Sequence, residues 1–286
     1  MKSILYAIIA VMLFGILATS IPIKTNPKNQ ILIQATDMPV SLRTLNQSAE
    51  IITQRLKKFS EAPFEVNVIA DRNQILIKYN NHLDQKMIKN LVSQKGQLTF
   101  HETLSSKAIQ KLFSENINLS SHLQNKPPMD SSARIGCVSQ NEMTQINDFL
   151  IAEHANSSWM WVWDDYFQKT EVCLYALKRT DDKLVTLSGS DIKYLNVRHN
   201  NEWKKDYLEI SFSEDATTKW AEITQHNINQ PIAIVIDNKL IVAPVVRSQI
   251  KGGNCQISGE FTKQQLQFIA AIGNNGVLPL SFKFIK

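Results

Sequence analysis

The chain has 286 residues, 43% hydrophobic and 20% charged, which excludes a wholly disordered polymer. Nine glycines and nine prolines exclude collagen-like and loop-dominated classes. Thirty-one Lys and Arg against 26 Asp and Glu give +5, and no four basic residues run together; the basic clusters read as a solvated surface, not a nucleic-acid footprint.

Ile4 to Ile21 contains no charge, in contrast to a mean hydropathy of −0.18 for the whole chain. As a helix, this stretch rises about 27 Å, enough to cross a bilayer core. Its length favours an uncleaved anchor over residues 1–24. Ala18-Thr19-Ser20 offers a small-x-small site, so a cleaved signal peptide stays open. Either reading places the body outside the cytoplasm.

Residues 25–104 read as one unit. Ile31 to Thr36 is a strand, and Ser41 to Phe59 a helix with Leu45, Ala49, Ile52, Leu56 and Phe59 at spacings of three and four. Strands follow at Phe64 to Ala70 and Gln74 to Tyr79, across the turn Asp71-Arg72-Asn73. Leu83 to Val92 is a helix and Gln97 to His101 a fourth strand. The order βαββαβ is that of a ferredoxin-like split βαβ sheet, so the fold class is α+β.

Residues 105–180 form a connecting region. Helices near Ser105–Glu115 and Gln140–Glu153 flank the Lys126-Pro127-Pro128 break. Trp159, Trp161 and Trp163 alternate with Met160 and Val162, which puts the three indoles on one side of a strand. They read as an interaction face for sugar or extended peptide, or as a heavy face packed into a domain junction; packing is favoured. Asp164-Asp165 is a turn, and Glu171 to Leu177 the hairpin partner. Of three cysteines, Cys137 and Cys173 flank this region and form the candidate disulfide, although spacing alone does not fix connectivity. Cys255 lies in a separate strand.

Residues 181–286 hold a strand at Tyr207 to Phe212, then a helix from Glu214 to His226 with Ser213 as its N-cap. Ile232 to Ile236 and Leu240 to Val246 are strands joined at Asp237-Asn238-Lys239. A turn at Lys251-Gly252-Gly253-Asn254 leads into a strand at Cys255 to Ser258. Thr262 with Gln265 starts a helix through Ile272, and Leu278 to Ile285 is a strand broken early by Pro279.

The chemistry points away from catalysis. Gly-x-Ser-x-Gly elbows, Walker A loops and C-x-x-C pairs are absent from the sequence, and the six histidines are scattered. Asp181-Asp182 reads as a solvated turn. Asp237 reads as a turn residue whose carboxylate bonds nearby amides. Gly252, Gly253 and Gly259 read as devices for turns and bulges. No cofactor or metal is expected.

The run Asn227-Ile228-Asn229-Gln230-Pro231 through Asp237 continues with Ala243-Pro244, Ile250-Lys251-Gly252-Gly253 and Gln256-Ile257-Ser258-Gly259-Glu260-Phe261-Thr262, and ends at Gly276-Val277-Leu278-Pro279. This string resembles the head subdomain of the SecD/SecDF protein-export subunits. Ile52 to Phe59 with Arg55, and Gln97-Leu98-Thr99-Phe100, look like the base subdomain of the same extracytoplasmic domain. The likeness is specific over 205–282 and weaker before it. It implies a structural role for Asp237, Pro244, Gly252, Gly253, Gly259 and Pro279. Two departures stand out: Ile31 to Pro39 lacks the glycines of the family, and Ser60 stands where Gly usually follows the Arg/Phe helix.

The family continues into a membrane bundle bearing the acidic residue tied to proton flow, whereas this sequence ends at Lys286. The expectation is therefore a single-anchor protein with the SecD-type head and base but without that motor. By resemblance it sits at the bacterial inner membrane facing the periplasm, or free in the periplasm if cleaved. Expected partners are unfolded or emerging secretory polypeptide, Sec translocon components, and the membrane through the N-terminal helix, with no nucleic acid. The alternative is an envelope scaffold that kept the fold without an export role. A mobile head over a rigid base would hinge near Thr103 to Leu104 and near Gly273 to Pro279.

Overall fold

Ser41 starts the first helix by accepting a hydrogen bond from the Thr44 amide at 3.1 Å, which satisfies an otherwise orphaned N–H. The computed structural model describes residues 29–80, 83–115, 123, 133–154, 159–167, 169–178 and 187–285. The anchor assigned to 1–24, the Lys126-Pro127-Pro128 break and Asp181-Asp182 lie outside them. Among the described residues no helix is long and apolar enough to cross a membrane.

Helix α1 (Leu42–Phe59) buries Leu45, Ala49, Ile52, Leu56 and Phe59, the stripe set by its three-four spacing. It packs on strands β1 (Asn29–Ala35), β2 (Phe64–Ile69) and β3 (Gln74–Tyr79), with α2 (Gln85–Ser93) alongside. Asn73, at φ 52°, turns the chain between β2 and β3. Ile31, Ile33, Ile75 and Ile77 alternate onto the helix-covered face, as a period of two demands.

The fourth strand of this base differs from the expectation. β4 (Leu98–Glu102) does not pair with β1. The place is taken by β13 (Phe282–Ile285), with Leu32 opposite Ile285 and Ala35 opposite Phe282. The sheet order β13-β1-β3-β2, antiparallel throughout, is that of a split βαβ fold whose last strand comes from the far end of the chain. Alternation reveals that β4 is a strand, but it does not reveal its partner.

β4 instead edges a six-stranded sheet of order β4-β10-β11-β6-β7-β5. The others are β5 (Arg134–Ser139), β6 (Trp159–Trp163), β7 (Glu171–Lys178), β10 (Ile232–Ile236) and β11 (Lys239–Val242). Helices α3 (Ser106–Glu115) and α4 (Met143–His154) accompany it. A third sheet, β12-β9-β8, comprises β8 (Ile192–Asn200), β9 (Lys205–Phe212) and β12 (Asn254–Ile257). Helix α5 (Glu214–His226) is capped by Ser213. Helix α6 (Lys263–Asn275) starts with a full capping box between Thr262 and Gln265.

Helix α6 joins the two halves. Phe268 meets Phe59 of α1 edge-on, with ring centroids 6.4 Å apart. Asn274 both donates to and accepts from the Leu195 backbone on β8. Gly273 permits this approach, since a Cβ there would lie 2.0 Å from a Leu195 methyl. One hydrophobic core consequently runs from Ile33 and Leu56 in the base to Leu195, Phe212 and Trp220 in the head.

The Thr103–Leu104 hinge is corrected. Thr103 is buried, donates to the Pro231 carbonyl at 3.0 Å and bridges Leu177, while the Leu104 amide donates to Ala176. These residues are fastened inside the six-stranded sheet. The chain leaves the base earlier, through Gln94 to Gln97. It returns through Gly276 to Ser281, where the Leu278 amide donates to the Lys95 carbonyl at 2.8 Å. The two crossings run side by side.

Candidate functional site

Two features stand out, a polar clamp at the crossings and an apolar cleft in the head. The clamp centres on Arg55, fully buried on the α1 face that meets α2. Its guanidinium donates to the carbonyls of Leu91 (3.2 Å), Gln94 (2.8 Å), Lys95 (2.7 Å) and Gly276 (2.6 Å). Burial pushes its pKa down to about 10, against the opposing pull of Asp237, so it stays a cation at neutral pH. The cation saturates carbonyls that helix α2 and the C-terminus of α6 leave without intrahelical partners.

Asp237 holds the same loop by its amides. With Asn238 it forms the tight β10–β11 turn, at φ 50° and 64°. Its carboxylate accepts from the Gly96 amide at 2.9 Å and the Gln97 amide at 2.8 Å. The turn position is as expected. The amides are not nearby ones, however; they lie 141 and 140 residues away in sequence. Tyr166 donates its hydroxyl to the Gln94 side chain, and burial holds its pKa well above the usual tyrosine range. Gly96, at φ +77°, faces Arg55 so closely that a Cβ would lie 2.2 Å from the guanidinium. Sequence reading missed this clamp, since four of its acceptors are backbone carbonyls.

The cleft has a volume of about 230 Å³ and lies where the six-stranded sheet, α5 and β12 meet. Its walls include Phe100, Trp220, Ile232, Ile234, Val246 and Ile257. Pro244 lines it too, and its carbonyl accepts from Ile232 at 3.1 Å, which carries the strand pairing past β11. Gly252 and Gly253 turn the chain into β12, and Gly259 follows that strand beside Phe261. Pro279 sits at the returning crossing, its carbonyl 3.4 Å from the Lys95 ammonium. Asp237 and Pro279 thus lie at the crossings and Pro244 on the cleft, while Gly259 lies elsewhere, beside Phe261.

The tryptophan strand is buried at Trp163 and half-buried at Trp159 and Trp161. Trp163 is buried and donates its indole N–H to Asn147 at 2.7 Å. Trp161 packs on the second core cluster, and the Trp159 and Trp161 rings meet edge-on. Cys137 and Cys173, opposite each other on β5 and β7, are joined as a disulfide at 2.03 Å. Cys255 stays a thiol on the cleft wall, pushed up to about 12 by burial.

A split-βαβ base thus carries a large α+β insertion, and an apolar cleft lies in that insertion. Residues 168–280 match the family model described as SecDF, P1 head subdomain. A protein translocase subunit SecD from Magnetococcus marinus is 24% identical over 88% of this chain and 41% of its own length. One from Calditerrivibrio nitroreducens is 33% identical over 39% of this chain and 21% of its own. The matched regions thus span about a fifth to two fifths of these relatives. A solved structure described as a membrane component SecDF that enhances protein export is 19% identical, with a TM-score of 0.51 over 90% of this chain and 98% of that one. It shares the fold. Residues 168–280 are thus similar to the SecDF P1 head subdomain, and a weaker likeness to SecD extends over most of the chain.

Proposed function

We propose that this chain assists protein export outside the cytoplasm by holding extended, apolar segments of secretory polypeptide in the head cleft. The observation that carries this reading is the cleft itself, apolar and bounded on one side by β12, the outer strand of its sheet. Shallow apolar contact is sequence-tolerant, and an outer strand offers backbone groups to any extended chain. The match of residues 168–280 to the SecDF head supports the export context. The role is non-catalytic, and the body docks at the inner-membrane surface, facing the periplasm, through residues 1–24 or through translocon components.

Site-specific photocrosslinking from the cleft tests it. Adducts with a secretory chain caught in export support it, and their absence with export unimpaired on deletion removes it. An envelope scaffold docking through Trp159, Trp161 and Trp163 has less surface to use, since Trp163 is buried and Trp161 packs on the protein's own core.

A further inference from the structure

Among the described residues the cleft has one charged group on its lining, and that group is a cation. Arg247 stands exposed at the rim, between Val246 and Ser248, on the loop that follows β11. Among the described residues no carboxylate lines the cleft. Among the described residues Arg247 makes no ion pair or hydrogen bond. Its loop is nevertheless held in place: Gln249 donates to the Ala221 carbonyl at 3.3 Å, and the Ile250 amide donates to the Thr224 hydroxyl at 3.0 Å. The guanidinium therefore projects from an anchored segment.

The outer strand β12 has a defined register on β9. The Phe212 amide donates to the Gly253 carbonyl at 2.9 Å, so ladder alternation directs the backbones of Cys255 and Ile257 to β9. The backbone groups of Asn254 and Gln256 are left on the open edge. A chain added there would run extended, with every second side chain on one face.

We propose that the cleft takes an apolar side chain from an extended polypeptide bearing a carboxylate two residues away, and that Arg247 selects the carboxylate. The proposal rests on the polypeptide-binding reading above. Apolar burial supplies affinity without discriminating sequences, whereas a guanidinium pairs with a carboxylate and disfavours a second cation. As the single charge among the described lining residues, Arg247 sets that preference.

Three labelled peptides of one apolar sequence, carrying Glu, Gln or Lys two positions from a leucine, are titrated with the whole chain by fluorescence anisotropy. The Glu peptide is expected to bind about three-fold tighter than the Gln peptide, with the Lys peptide weakest. Arg247→Gln is expected to abolish this order. Lys251→Gln, four residues on and outside the cleft lining, preserves the order. Equal affinities in the native chain, or an order that persists in Arg247→Gln, overturn the role of Arg247 alone. Failure of all three peptides to bind overturns the polypeptide-binding reading with it.

Discussion

Arg55 donates to the Gly276 carbonyl at 2.6 Å, across 221 residues of sequence. That bond, with those to Gln94 and Lys95, ties the outgoing and returning crossings of the head to the first helix of the base. Removing the side chain strands several buried carbonyls at once. Arg55→Met is expected to lower the unfolding free energy by about 3 kcal/mol, read from urea denaturation. A loss within experimental error would show that the clamp is dispensable.

Gly96 and Gly252 make a matched pair of tests. Gly96→Ala forces a Cβ against Arg55 at a φ of +77°, whereas a Cβ at Gly252 meets nothing within 4 Å. The first is expected to cost about 2–4 kcal/mol and the second under about 0.5 kcal/mol. Thermal unfolding of both variants settles the comparison.

Much of the base was legible in the sequence, because the 3.6 and 2.0 periodicities report local structure directly. Helix α1, the β2–β3 pair and the Thr262 capping box sit where spacing and cap residues put them. What stayed hidden was pairing across long separations. β4 and β13 read as strands, but nothing local shows that β13 completes the base while β4 joins β10. The same limit concealed the clamp: Asp237 reads as a turn residue, and its contacts with Gly96 and Gln97 exist only once the crossing is folded. Of the three tryptophans Trp163 is buried, as the packing reading of the strand expects, whereas Trp159 and Trp161 are half-buried.

Cys255 gives the stability a pH signature. The unfolded thiol ionises near 9.0 and the folded one near 12, so between these values the unfolded state holds fewer protons. Its contribution is complete below pH 9 and declines as pH rises toward 12. Urea denaturation of Cys255→Val is expected to show a flatter alkaline decline than the native chain. Parallel curves from pH 9 to 11 would contradict the buried thiol.

The Cys137–Cys173 bridge closes a loop of sequence separation 36 on the edge of the six-stranded sheet. The double Cys137→Ala, Cys173→Ala variant is expected to lose about 2–4 kcal/mol. Mass spectrometry of the alkylated, unreduced chain should find only Cys255 modified. Three modified cysteines would exclude the bridge.

The central claim is that the head cleft holds secretory chain, and it is tested most directly by photocrosslinking in native membranes. A crosslinker is placed at Gln256 on the cleft wall, with an equivalent at exposed Glu50 on α1 as control. With an export intermediate arrested in transit, adducts are predicted from Gln256 and not from Glu50. No adduct at Gln256, together with unimpaired export after deletion of the chain, would contradict the account.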